Sequence, residues 1–408
     1  MTVFVATLTF AQTLPPSFAT LHSFNGPYED GSNPAAGVIQ TSSGVIFGTT
    51  IHGSYKNQGT LFRLTRAAGG AWTERILLSF GNNGDGCRPA GDLLDVNGVI
   101  YSTTFQGGAF LQGSMFDALL TSTGLTVTDL HDFDGGDAYG DGSQPEAGLV
   151  MSPQGSFYGT TEQGGLYGPG SFGPGTVFFM TPPSTPGAGW SEGLLYNLSG
   201  GGDGAQPEAP LVMDAGGNLY GTAYSGGYGY GTVFELTAPA SAGGGWGFNV
   251  IHTFSAYGDG ANPQAGLIFD VSGNLFGATV NGGTAGMGTV FELTPESGGA
   301  YWNETIIYNF SGNGDGANPE AGLTFSNGVL YGTTYNGGSS SLGTVFSLAP
   351  PSTPGGAWTE SVLHRFTGQN TDGANPQARL FQTANGSFLG TTYNGGTYGA
   401  GTVFRLTP

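Results

Sequence analysis

The sequence predicts an all-β fold: a seven-bladed β-propeller of four-stranded blades, closed when the N-terminal strand completes the last blade. Three observations carry this. The motif D-G-x-x-P recurs seven times at nearly constant spacing. Each copy is followed by the same succession of short apolar runs and Gly-rich turns. The last copy lacks a fourth strand, and a matching strand stands at the opposite end of the chain.

The motif begins at Asp30, Asp85, Asp141, Asp203, Asp259, Asp315 and Asp372, at spacings of 55, 56, 62, 56, 56 and 57 residues. Pro34, Pro89, Pro145, Pro207, Pro263, Pro319 and Pro376 close the copies. A period near 50 residues with several strands per unit marks a propeller-like array. In the fifth copy, strand A is expected over Ala265–Val271, B over Asn274–Val280, C over Thr289–Thr294 and D over Asn303–Phe310. Strand C alternates, with Phe291 and Leu293 on one face and Val290 and Glu292 on the other. No segment carries sustained helical spacing. The last copy stops after "GTVFRLTP", and "FATLHSF" (Phe18–Phe24) matches the D strands "NVIHTF" and "ESVLHRF". Closing the ring protects the strand edges that an open array exposes. One domain is therefore expected over residues 18–408, with residues 1–17 as a β-prone extension.

Composition agrees. The 408 residues include 79 Gly; 12% are aromatic and 9% charged, a profile of short strands and tight turns. The formal net charge is −20, with 28 acidic residues against eight basic ones. A phosphate-tracking surface needs clustered Lys and Arg, so nucleic acid is excluded, as is an anionic membrane surface. No apolar run reaches the roughly 20 residues of a transmembrane helix. Cys87 is the sole cysteine and occupies a turn slot that holds Ser or Ala in other copies. The N-terminal "TVFVATLTF" reads either as a signal remnant or as an assembly strand over residues 1–12 that adds to a blade edge.

The seven Asp are the candidate metal residues, as a calcium or polar-ligand ring. Calcium takes six to eight oxygens at one point, whereas each loop offers one dependable carboxylate, helped in places by Glu146, Glu208 or Glu320. The structural reading is a turn: Asp accepts backbone N–H groups and Pro fixes φ. A turn is needed once per blade, and a unique site is not. His22, His131, His252 and His364 share one strand D slot, filled elsewhere by Leu78, Tyr196 and Tyr308. They lie on separate blades and are expected to pack rather than to meet at one metal. Trp72, Trp190, Trp246, Trp302 and Trp358 share another slot, with sugar stacking as the alternative to a partly covered outer edge. "GWSEG" (Gly189–Gly193) fits G-x-S-x-G but enters a strand, not a strand–turn–helix elbow. "GGYGYG" (Gly226–Gly231) leads into a strand and has no helix N-terminus for phosphate. Asn197, Asn303, Asn309 and Asn385 lie in sequons.

The repeated "DGANPxAGL…GNLYGTTxxGG…GTVFxLTP" resembles the Gloeo/Verruco (GloVer, choice-of-anchor) repeat of bacterial extracellular proteins, over Asp30 to Pro408. The resemblance implies export and surface display, no established enzymatic activity and no catalytic residues to carry over. The chain ends at Pro408 without the family's C-terminal anchor, so secretion or assembly into extracellular material is expected. The leading expectation is a non-enzymatic, secreted structural or adhesive protein that forms homo-oligomers or filaments and has no cofactor. A glycan- or cation-binding module, with calcium as the cation, is the alternative. A hydrolase or lyase would require unlike polar residues gathered in one pocket. The outliers from the repeat are Arg88, Asp92, Arg379 and the insertion around Gly168–Pro174.

Overall fold

The structure, a computed structural model, describes residues 15–26, 30–81, 85–121, 124–135, 140–166, 173–185, 189–241, 243–296, 301–353 and 355–408. Residues 1–12 and most of the insertion at 168–174 lie outside those described.

Seven antiparallel four-stranded sheets form a seven-bladed β-propeller. Blade 5 is typical: strand A at Ile268–Phe269, B at Leu275–Thr279, C at Thr289–Pro295 and D at Trp302–Asn309. Blade 7 consists of Phe381–Gln382, Phe388–Thr392 and Thr402–Thr407. The N-terminal strand Ser17–Ser23 completes it, pairing antiparallel from Ser17↔Thr407 to Ser23↔Thr402. The chain thus closes its own ring.

Strand A is shorter than its apolar run suggested. Ala265 and Leu267 are buried, but only Ile268 and Phe269 pair with strand B. Pro263 removes a backbone donor, and the residues after it line the ring axis. Burial, not sheet pairing, explains their apolar character.

Both faces of a blade are buried between neighbours, so the alternation in strand C sorts side chains between two seams. Phe291 and Leu293 pack with Tyr220 and Val233 of blade 4. Val290 packs with Leu323, Leu330 and Phe346 of blade 6. Gly277 lies opposite Phe291, and a Cβ there would stand 2.4 Å from the ring. The repeated Gly of "LYGTT" is therefore a seat for the aromatic ring of "GTVF". Beside it, the hydroxyls of Thr279 and Thr289 hydrogen-bond at 2.8 Å.

Each C–D pairing contains a β-bulge. The bulged residue is Leu or Ile (Leu77, Leu130, Ile251 and Ile307 among them) and packs into a seam. A bulge re-aims the residues that follow it, here the slot shared by His and Tyr.

The D–A and B–C loops occupy one end of every blade. Gly260–Ala261 pairs with Asn281–Gly282 there, and the other blades form equivalent ribbons or bridges. The residue before each motif proline is left-handed, as in Asn262 (φ 58°). Its N–H donates to the preceding blade, 2.7 Å from Asn262 to Tyr230 O. Asn suits this conformation better than most residues, which explains the frequent N-P of the motif.

Candidate binding face and axial cavity

The seven Asp residues all serve their own loops. Asp30, Asp85, Asp141, Asp203, Asp259, Asp315 and Asp372 each accept a backbone N–H four to seven residues upstream, at 2.8–2.9 Å. The Asp of the motif thereby ties the end of strand D to the start of the next blade.

Six of these carboxylates also receive the strand D slot. His22, His131, His252 and His364 approach Asp30, Asp141, Asp259 and Asp372 at 3.1, 2.6, 3.5 and 3.1 Å. Tyr196 and Tyr308 donate their hydroxyls to Asp203 and Asp315, each at 3.1 Å. The histidines do not meet one another, as expected, but two of them acquire a third partner. Glu192 joins His131 and Asp141, and Glu304 joins His252 and Asp259, each trio placing its ligand atoms within 4.8 Å of one another. Burial, then the neighbouring Asp259, pushes the Glu304 carboxyl up to about 8. Burial and Asp141 push Glu192 up to about 7. Burial works to raise Asp259 too, but contact with His252 outweighs it and holds that carboxyl down to about 2.

Sequence reasoning missed these glutamates because each lies on the next blade, more than 50 residues from its histidine. The signal was present as W-x-E at Glu74, Glu192, Glu304 and Glu360. Two other seams fill the Glu position with a ring. Phe248 stacks on Tyr196 with centroids 3.8 Å apart, and Phe18 on His364 at 3.6 Å.

On the ring axis lies a cavity of about 460 Å³. Its wall comes from the residues that follow the motif prolines, so its chemistry departs from the repeat. Glu146, Glu208 and Glu320 line it, together with Gln264, Asp92 and Arg379. Asp92 Oδ1 accepts the Gly37 N–H at 2.8 Å, and a Cβ on Gly37 would crowd both Asp92 Oδ1 (3.2 Å) and Arg379 O (3.1 Å). Two outliers, Asp92 and Arg379, therefore flank one glycine at the axis. The third, Arg88, lies away from the cavity, beside His52, whose ring burial and the Arg88 charge hold below its ordinary pKa. Burial, Glu146, Glu162 and Glu320 push Glu208 up to about 8. Burial, Glu162 and Glu320 raise Glu146 to about 7, and burial raises Glu320 to about 7. A wall with this acid excess disfavours anions and offers hydrogen bonds to hydroxyls or cations.

At the end of the blades that carries the D–A loops, the B–C turns expose large apolar side chains. Tyr55 is 87% exposed, Tyr228 76%, Leu111 74% and Tyr398 65%, with Phe110 beside Leu111 and Leu166 on a further blade. Tyr257, on a D–A loop of the same face, is 94% exposed. Most large apolar residues exposed by the described part of the chain lie on this face. The tryptophans take a different place. Trp190 meets Tyr101 and Phe157 of blades 2 and 3, and Trp302 meets Tyr220 of blade 4, all at the opposite end of the strands. Ser191 of "GWSEG" begins a strand paired to Thr181, so no nucleophile elbow forms. "GGYGYG" is the B–C turn before Thr232–Thr237.

Fold and site together define a closed repeat propeller with one aromatic loop face and an acidic axial cavity. The Gloeobacter/Verrucomicrobia repeat matches residues 3–227, 167–346 and 228–408, and the chain belongs to that family. No curated protein matches it. Among solved structures, an ancestral GH74 enzyme is similar at TM-score 0.57 and 12% identity, over 92% of this chain and 48% of that one. A putative 6-phosphogluconolactonase from Bacteroides uniformis gives TM-score 0.49 and 14% identity, over 81% and 84%. A putative oxidoreductase (glucose dehydrogenase) from Thermus thermophilus gives 0.46 and 14%, over 96% and 99%. At such identities the likeness is one of fold alone.

Proposed function

We propose that the chain is a non-enzymatic, secreted adhesive propeller that holds neutral glycan through its loop face. The observation that carries this is the set of exposed tyrosines on one rigid face, above all Tyr55, Tyr228 and Tyr398. A tyrosine ring offers an apolar face to a sugar ring and a hydroxyl to its polar edge, and apolar residues gathered on one exposed face mark an interaction site. The low charge and acid excess suit an uncharged partner. Repetition around the ring gives several weak contacts, whose combined avidity exceeds each one.

A glycan array, followed by calorimetry on the best neutral oligosaccharide, tests the reading. Tyr55→Ala, Tyr228→Ala and Tyr398→Ala together should weaken binding at least about tenfold, a loss of ~1.4 kcal/mol. Undiminished binding by the folded triple variant, or no glycan binding at all, would overturn it. The axial cavity favours a second reading, in which a small cationic or polyhydroxylated ligand binds among Glu146, Glu208 and Glu320. Glu208→Gln should then abolish that binding while leaving the tyrosine-dependent contact intact.

A further inference from the structure

The seams between blades contain chemistry that the loop face does not use. We propose that His252, Asp259 and Glu304 bind a zinc-class divalent cation between blades 4 and 5, and that His131, Asp141 and Glu192 bind a second one between blades 2 and 3.

Each trio brings one imidazole nitrogen and two carboxylates together from three separate segments: strand D of one blade, the following loop and strand D of the next blade. His252 Nε2 is 3.5 Å from Asp259 Oδ1 and 3.7 Å from Glu304 Oε1. Two ligands of a tetrahedral ion, each at ~2.1 Å, stand about 3.4 Å apart. The two His252 contacts therefore already have the spacing an ion requires, and both are long for hydrogen bonds.

A second observation points the same way. His252 Nε2 and Glu304 Oε1 are both shielded from solvent, and neither makes a hydrogen bond within the protein. Glu192 Oε1 is in the same position in the other trio. Buried polar atoms are nearly always partnered, and one cation would satisfy all three ligands of a trio. In the blade 2–3 trio, His131 and Asp141 hydrogen-bond directly at 2.6 Å. An ion there must displace that bond, so this site should be the weaker.

The donor set identifies the ion class. An imidazole with two carboxylates and a position left for water suits zinc and its neighbours. It falls short of the six to eight oxygens that calcium takes. The seam between blades 6 and 7 supplies a natural control, because Phe18 stacks on His364 where the two trios place Glu.

The test is equilibrium dialysis of the chelator-stripped full chain against zinc chloride, with metal analysis. Two equivalents are expected, the tighter one in the micromolar range or below. Glu304→Gln and His252→Asn should each remove the tighter equivalent, and His131→Asn the weaker. The double variant His131→Asn/His252→Asn should bind none, while His364→Asn keeps both. Circular dichroism checks each variant's fold; if a histidine variant does not fold, the near-isosteric Glu304→Gln and Glu192→Gln decide. Failure of the wild type to bind zinc, or two equivalents surviving in the folded double variant or in folded Glu304→Gln/Glu192→Gln, would overturn the proposal. Glycan binding by the tyrosine face is read separately and does not depend on the result.

Discussion

Gly277 and Phe291 show how one residue pair sets the packing of a blade. The ring lies where a Cβ would be, only 2.4 Å away, so Gly277→Ala must push it into the seam with blade 4. Overpacking of this kind costs about 1–3 kcal/mol, and a lower urea midpoint at unchanged slope would record it. Asp315 carries several bonds at once, from the Ser311 N–H at 2.8 Å, the Ser311 hydroxyl at 2.7 Å and the Tyr308 hydroxyl at 3.1 Å. Asp315→Ala should cost roughly 2–3 kcal/mol by leaving these donors without their acceptor. The axial glutamates add a pH dependence. Glu208 is held near 8 and Glu146 and Glu320 near 7, against an ordinary value of 4.5, so the folded chain holds protons that the unfolded chain releases. Their contribution is fully present below about pH 4.5 and is lost as the pH rises through 7 to 8. The melting temperature should be higher at pH 5 than at pH 8.5, and Glu146→Gln with Glu208→Gln should flatten the difference.

At the scale of elements, the seam matters more than the strand. A four-stranded sheet alone has two apolar faces and no stable way to hide them, and each blade buries both against its neighbours. The tryptophan at the start of strand D acts across that seam. Trp302 meets Tyr220 of blade 4 edge-on, with centroids 5.8 Å apart. Trp302→Ala should cost about 3 kcal/mol, the lower end for a large aromatic because the indole is only half-buried. Thermal unfolding measures it. The W-x-E pattern makes two uses of one strand. Trp wedges one end of the seam, and Glu, two residues on, reaches toward the His–Asp or Tyr–Asp pair near the other.

For the whole molecule, closure is the decisive event. The strand Ser17–Ser23 comes from the opposite end of the chain and forms the outer edge of blade 7. Phe18 also stacks on His364 of blade 6, so this strand joins two blades. Removing residues 1–23 should leave an open edge at Thr402–Thr407 and a protein that unfolds early or aggregates. Removing only residues 1–14 leaves the whole closing strand Ser17–Ser23 in place and serves as the comparison. Size-exclusion chromatography and calorimetry separate the two results.

The repeat, the number of blades, the ring closure and the turn role available to each Asp are legible in the order of residues. All of these are local signals multiplied by copy number: D-G-x-x-P, the apolar runs and the D-strand match between Phe18–Phe24 and its sister copies. The sequence also showed that the four histidines occupy one slot on separate blades. It overextended strand A, because the residues buried at the axis read like paired ones. What meets across a seam or around the axis follows from three-dimensional packing. Glu304 stands beside His252, and Asp92 and Arg379 flank Gly37, because the ring curves until residues tens or hundreds of positions apart become neighbours. Periodicity records which way a side chain points, whereas contact between unlike residues depends on the angle at which successive blades pack.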